Sequence, residues 1–207
     1  MNVNRPVKGL KPWLSSLNCD GKWGFALLGV CVALLLPELA GEAGRAALRY
    51  DRAGLEAGEL WRLLTAHVVH LDLEHAVLNV LGLVMMWALF ARDFTLRQWL
   101  IVITAALIAI DLGLWAFDPQ VRWYVGSSGV LHGVMAAGTL AHLRRGDLDG
   151  WILAAFILGK LAYEQWTGAL PFEGTAAVVV DSHLYGVIGG SAATAILFAL
   201  NSRGKPR

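Results

Sequence analysis

Charge is scarce in this chain: 16% of its 207 residues are Asp, Glu, Lys or Arg, against about a quarter in soluble domains. That scarcity excludes a water-soluble globule. The net charge is only +1, and no nucleic-acid partner is expected. Cysteine is nearly missing. Cys19 and Cys31, separated by a helix, would stand roughly 18 Å apart, so no disulfide framework exists and both are read as packing residues. Proline is low at 6, and the 23 glycines follow no three-residue period, which excludes collagen-like and disordered chains. There is no internal repeat, low-complexity tract or linker. No small-x-small cleavage site with a soluble domain follows the basic residues Arg5, Lys8, Lys11 and Lys22, so residues 1–22 are expected to form a cytoplasmic tail rather than a signal peptide.

What remains is apolar: 57% hydrophobic residues and a mean hydropathy of +0.55. At about 20 residues per span, the length fills one membrane-embedded domain and leaves no room for a second. Six apolar segments, at 23–40, 73–91, 96–117, 128–143, 151–163 and 183–200, predict an all-α membrane protein with six transmembrane helices over 23–200. A basic tail follows at 201–207. The fifth segment carries Lys160 and Glu164, an i,i+4 pair expected to neutralise itself and snorkel toward the interface. The single long loop, 41–72, is polar and contains Trp61 and Arg62. The 9 tryptophans are read as interface anchors and packing.

Six spans put both termini on one side, together with the second and fourth loops. That side holds 11 of the 17 Lys and Arg residues, so the positive-inside rule places both termini in the cytoplasm and the long loop outside.

Ionisable and polar groups inside apolar spans are costly, about 2.5–3.5 kcal/mol for charged ones on insertion scales, and are therefore functional candidates. Three places qualify. The entry to the second span holds His67, His70, His75 and Asn79, with His75 and Asn79 one turn apart on one helical face. The fourth span opens Gly126-Ser127-Ser128-Gly129 and continues to His132 and Gly133, and the sixth opens Asp181-Ser182-His183 before Gly186 and Gly190. Gly129 with Gly133, and Gly186 with Gly190, form small-xxx-small ridges that let membrane helices approach closely. Such an approach brings Ser128 opposite His183. A serine hydroxyl needs a base to become a nucleophile, and a neutral imidazole supplies one. His75 and Asn79 could then donate hydrogen bonds to an oxyanion.

Each feature alone is more often packing than chemistry, and the ordered combination is what points to a serine hydrolase. His67 and His70 precede the apolar core and are read as ordering the loop. His142, beside Arg144 and Arg145, is expected to be solvated. Asp111 is expected to pair with Lys160 or face a polar cavity. Ser127, about 100° around the helix from Ser128, is expected to be dispensable.

On these residues the chain resembles the rhomboid intramembrane serine proteases: Trp61-Arg62, His70, His75 and Asn79, Gly126-Ser127-Ser128-Gly129, and His183 with Gly186 and Gly190. The resemblance implies a rhomboid-like bundle in which Ser128 is the nucleophile and His183 the general base. It makes His75, Asn79 and the Ser128 backbone N–H the oxyanion donors, in a metal-free dyad without cofactor or a role for Asp181. His132 stands where rhomboids usually carry an aromatic packed on the catalytic imidazole. It is expected to stack on or hydrogen-bond His183, the rival being that His132 is the base. The run Tyr124 to Gly133 is similar to the rhombosortase branch. That implies a multi-pass protease of the bacterial inner membrane, acting on secreted single-span proteins with a C-terminal Gly-Gly-containing membrane tail, with water or an amine resolving the acyl-enzyme. Alternatives are a general rhomboid protease with other substrates, and a non-catalytic scaffold binding client helices. A small transporter would carry more midspan charge than Asp111.

Overall fold

Polar residues at the ends of apolar runs decide where the helices begin. The computed structural model describes residues 17–18, 21–168 and 178–203. Cys19, most of the 1–22 tail and most of the 201–207 tail lie outside them. The helices are α1 (Gly24–Leu35), α2 (Gly41–Leu48), α3 (Arg52–Glu56), α4 (Arg62–Thr65), α5 (Leu73–Phe90), α6 (Leu96–Ala116), α7 (Ser128–Arg145), α8 (Leu148–Thr167) and α9 (Asp181–Arg203). Asp72 starts α5 by accepting a hydrogen bond from the His75 N–H at 2.8 Å. Thr95 and Gln98 close a reciprocal capping box at the start of α6, satisfying donors the helix cannot satisfy itself.

Among the described residues, four helices are long and apolar enough to cross a membrane: Gly24–Leu48, Leu73–Phe90, Leu96–Ala116 and Asp181–Asn201. The first includes a 3-10 turn at Leu36–Ala40, with Pro37 near its start, so helical structure continues past residue 40 to Leu48. Helices α7 and α8 run for 18 and 20 residues but miss this apolarity. The first spends its length on glycine, serine and histidine, and the second carries Asp149, Lys160 and Glu164.

Helix α7 is the hub and packs against α5, α6, α8 and α9. Its closest approach is to α9, where the glycine ridges meet. A Cβ on Gly129 would lie 2.8 Å from the Ser182 carbonyl oxygen, and one on Gly133 would lie 2.7 Å from the Gly186 carbonyl oxygen. Methyls on Gly186 and Gly190 would overlap the Gly129 and Gly133 carbonyls outright. Any side chain at these positions forces the two backbones apart. Val102, Ala106 and Ile110, spaced four apart on one face of α6, are fully buried. Helix α1 lies at the periphery against α5.

The segment between α2 and α5 is held by its own polar groups. Strand β1 (Tyr50–Asp51) pairs antiparallel with β2 (Trp123–Tyr124), Tyr50 opposite Tyr124. The Arg62 Nη1 donates to the carbonyls of Ala46 and Arg49, both at 2.9 Å. Thr65 Oγ1 donates to the Leu48 carbonyl at 2.6 Å.

Two expectations are corrected here. Asp111 does not pair with Lys160, because His67 Nε2 lies 3.2 Å from its Oδ1 and pins the loop to α6. His142 is not solvated: it is 1% exposed. Its Nδ1 lies 2.8 Å from Asp149 and its Nε2 3.1 Å from Asp93, so from α7 it ties the α5–α6 connection to the first turn of α8. Arg145 joins the same network through Asp93 and Asp147, each at 2.7 Å.

Candidate active site

The short β2 strand delivers the chain to the start of α7. Gly126, at φ 121, turns it there in a region that L side chains rarely adopt. The turn is fixed twice. The Gly126 N–H donates to the Ala66 carbonyl at 2.9 Å, and the Tyr124 hydroxyl donates to the Gly126 carbonyl at 2.6 Å. A Cβ on Gly126 would sit 3.1 Å from His75 Cε1 and 3.9 Å from Ser128 Oγ, so imidazole and hydroxyl flank one small space. Ser128 is the first residue of α7, where backbone N–H groups lack helical partners and the helix dipole favours negative charge.

Helix α9 brings His183 to this hydroxyl, with Nε2 2.9 Å from Ser128 Oγ. On the other edge of the ring, Nδ1 lies 3.1 and 3.0 Å from the two carboxylate oxygens of Glu164 on α8. A carboxylate only accepts, so Nδ1 carries the proton and the Nε2 lone pair faces the serine. His183 and Glu164 are each 1% exposed. The Lys160–Glu164 ion pair exists, but the expected snorkelling to the interface does not occur, because Glu164 is buried against His183. Sequence reading missed this residue because an i,i+4 Lys–Glu pair explains itself locally. Asp181 accepts from Gln165 Nε2 at 3.2 Å.

The His132 ring stacks on His183, centroids 4.1 Å apart and 14° from parallel, and its Nδ1 donates to the Ser128 carbonyl at 2.8 Å. The serine hydroxyl therefore has His183 as its imidazole partner, with His132 as a platform behind it.

Across the site, His75 and Asn79 project from α5. Asn79 Nδ2 donates to the His75 carbonyl at 2.9 Å, and its Oδ1 accepts from Ser127 Oγ at 3.1 Å. His70 Nε2 lies 3.2 Å from the same Ser127 hydroxyl. Ser127, expected to be idle, is thus buried as the bridge between His70 and Asn79; a rotation about one helix could not reveal partners on another element. Burial, and secondarily the neighbouring His75, push His70 down to about 3, so its imidazole stays neutral. Arg45 Nε holds the His70 carbonyl at 2.6 Å.

A cavity of about 360 Å³ opens between α5, α7 and α8. Its mouth is apolar, with Leu81, Met85 and Phe156 largely exposed, while His75, Asn79, Ser128 and His183 line its interior. Two clusters among the described residues place metal-ligand atoms together, His132–Glu164–His183 and His142–Asp147–Asp149. Both His183 nitrogens, both His142 nitrogens and His132 Nδ1 are engaged in the hydrogen bonds above, whereas His132 Nε2 is buried without a partner among the described residues.

A family model described as the rhomboid domain matches residues 57–200, which include every residue of this site except Arg45. A curated protein of Bacillus subtilis (strain 168), named "Putative rhomboid protease YdcA", is 24% identical over 137 residues, covering 66% of this chain and 67% of its own.

Proposed function

The chain belongs to the rhomboid family and is an intramembrane serine protease, and from this premise we propose that Ser128 is its nucleophile and His183 its general base. The observation that carries the reading is the 2.9 Å approach of His183 Nε2 to Ser128 Oγ at the bottom of an apolar cavity. The hydroxyl proton passes to Nε2 as Oγ bonds to the scissile carbonyl carbon, and the imidazolium then gives that proton to the leaving amine. His75, Asn79 and the Ser128 backbone N–H receive the charge that develops on the carbonyl oxygen. Water or an amine acceptor resolves the acyl-enzyme.

In this reading all six apolar segments span the bacterial inner membrane, α7 and α8 shielded by their neighbours, and both termini are cytoplasmic. The substrates are secreted single-span proteins with a C-terminal Gly-Gly-containing tail, as in rhombosortases. A substrate helix hides its carbonyls in hydrogen bonds and must open to be cut. Glycine lowers the cost of opening by about 1 kcal/mol per residue relative to alanine. The exposed Leu81, Met85 and Phe156 suit the apolar remainder of such a tail.

The test is co-expression of a secreted reporter bearing a Gly-Gly motif, a membrane helix and a basic end, with mass spectrometry of the released C-terminus. Cleavage that needs Ser128 and is suppressed when Gly-Gly becomes Leu-Leu supports the reading. Equal cleavage of the Leu-Leu tail leaves a general rhomboid protease. Release without Ser128 removes the assignment.

A further inference from the structure

We propose that Glu164 is a positioning residue for catalysis, so that the proton-handling set is a Ser128–His183–Glu164 triad rather than a dyad. This rests on the reading of Ser128 and His183 as nucleophile and base.

Three facts converge on Glu164. It reaches His183 from α8, a helix that supplies neither of the other two members, and both carboxylate oxygens lie within hydrogen-bonding distance of Nδ1. Its side chain is fully buried, and a buried carboxylate persists only when paired and hydrogen-bonded. Lys160 supplies the counter-charge one turn earlier. Finally, the imidazole has no freedom left: Ser128 meets its Nε2 edge, Glu164 its Nδ1 edge and His132 its face.

The consequences are chemical. An acceptor at Nδ1 selects the tautomer whose Nε2 lone pair can take the serine proton. During attack the ring becomes an imidazolium at a buried position, where a fixed carboxylate stabilises the new charge strongly. The travelling proton goes from Oγ to Nε2 and on to the leaving amine. Glu164 never takes a proton, and the Nδ1–H stays on the ring throughout. A salt bridge serving α8 alone would need only Lys160, and nothing would require the carboxylate to face His183.

The full chain in detergent is treated with an alkyl fluorophosphonate, which forms a phosphorus–oxygen bond to the serine and expels fluoride. The binding constant Ki and the maximal labelling rate kinact are measured separately. Glu164→Gln is expected to lower kinact by about 10- to 100-fold, the range of one charge-assisted hydrogen bond, with Ki unchanged. Glu164→Asp, which keeps the charge, is expected to recover part of the rate. Equal kinact in wild type and Glu164→Gln overturns the proposal, as does a Glu164→Asp variant no faster than Glu164→Gln. If Glu164→Gln does not fold, the tautomer decides. In 15N-histidine-labelled wild type, the His183 signal, assigned by its loss in His183→Ala, must show a protonated Nδ1 and a bare Nε2; the reverse overturns the proposal. Absence of Ser128 labelling in wild type would instead remove the underlying protease reading.

Discussion

Replacing Ser127 by alanine removes one oxygen that serves two buried partners. Asn79 Oδ1 loses the donor it has at 3.1 Å, and His70 Nε2 loses the acceptor it has at 3.2 Å. Both partners are almost wholly buried, and a buried polar group left unsatisfied costs about 1–3 kcal/mol. With two such groups, stability should fall by about 2–6 kcal/mol. The catalytic effect follows from Asn79. Its amide stays tied to the His75 carbonyl through Nδ2 but loses one of the two bonds that fix which way Oδ1 and Nδ2 point. Complete loss of an oxyanion donor costs about 2.7–4 kcal/mol of barrier. Loss of orientation alone should cost about 1–2 kcal/mol, or about 5- to 30-fold in kcat, with KM nearly unchanged. The assay is steady-state cleavage of the tailed reporter by wild type, Ser127→Ala, Asn79→Ala and the double variant. If Ser127 acts through Asn79, the double variant is no slower than Asn79→Ala. Full additivity, or a wild-type kcat in Ser127→Ala, would refute the reasoning.

His132→Phe should keep substantial activity, because a ring in that place preserves the stacking on His183, whereas loss as complete as in His183→Ala would return the base role to His132; kcat on the same reporter distinguishes them. Gly186→Val should abolish activity and lower Tm, since its side chain would overlap the Gly129 carbonyl and push Ser128 away from His183; near-normal turnover would show that the α7–α9 approach is not required. His70 is held near 3, well below its ordinary 6.5, so between those values the unfolded chain binds a proton that the folded chain does not, and stability falls as pH drops from about 6.5 toward 3. His70→Gln should flatten that loss in Tm measured against pH, and an unchanged slope would contradict the buried neutral imidazole.

The site's axis was legible in sequence because its elements are local patterns. Gly129 and Gly133, and Gly186 and Gly190, announce two faces that can touch, and Ser128 and His183 stand at fixed offsets from them. The i,i+4 spacing of His75 and Asn79 likewise places them on one face whatever surrounds the helix. What escaped were partners that depend on how three or more elements are rotated together. Glu164 has a satisfying local explanation in Lys160, and nothing in α8 says which face meets α9. Ser127 is defined by His70 and Asn79, distant in sequence. His142 looked solvated because two arginines follow it, but Asp93 from the α5–α6 connection and Asp149 from the first turn of α8 enclose it. Helices α7 and α8 are weak as apolar windows for a related reason: they carry the serine, histidines, glycines and charges that build the site.

The most direct test of the central claim is site-resolved labelling of the purified chain with an alkyl fluorophosphonate, followed by peptide mass spectrometry. A single adduct on Ser128 is predicted, absent in Ser128→Ala and reduced to background in His183→Ala while both variants remain folded in detergent. An adduct on Ser127, or Ser128 labelling undiminished in His183→Ala, would contradict the assignment of nucleophile and base.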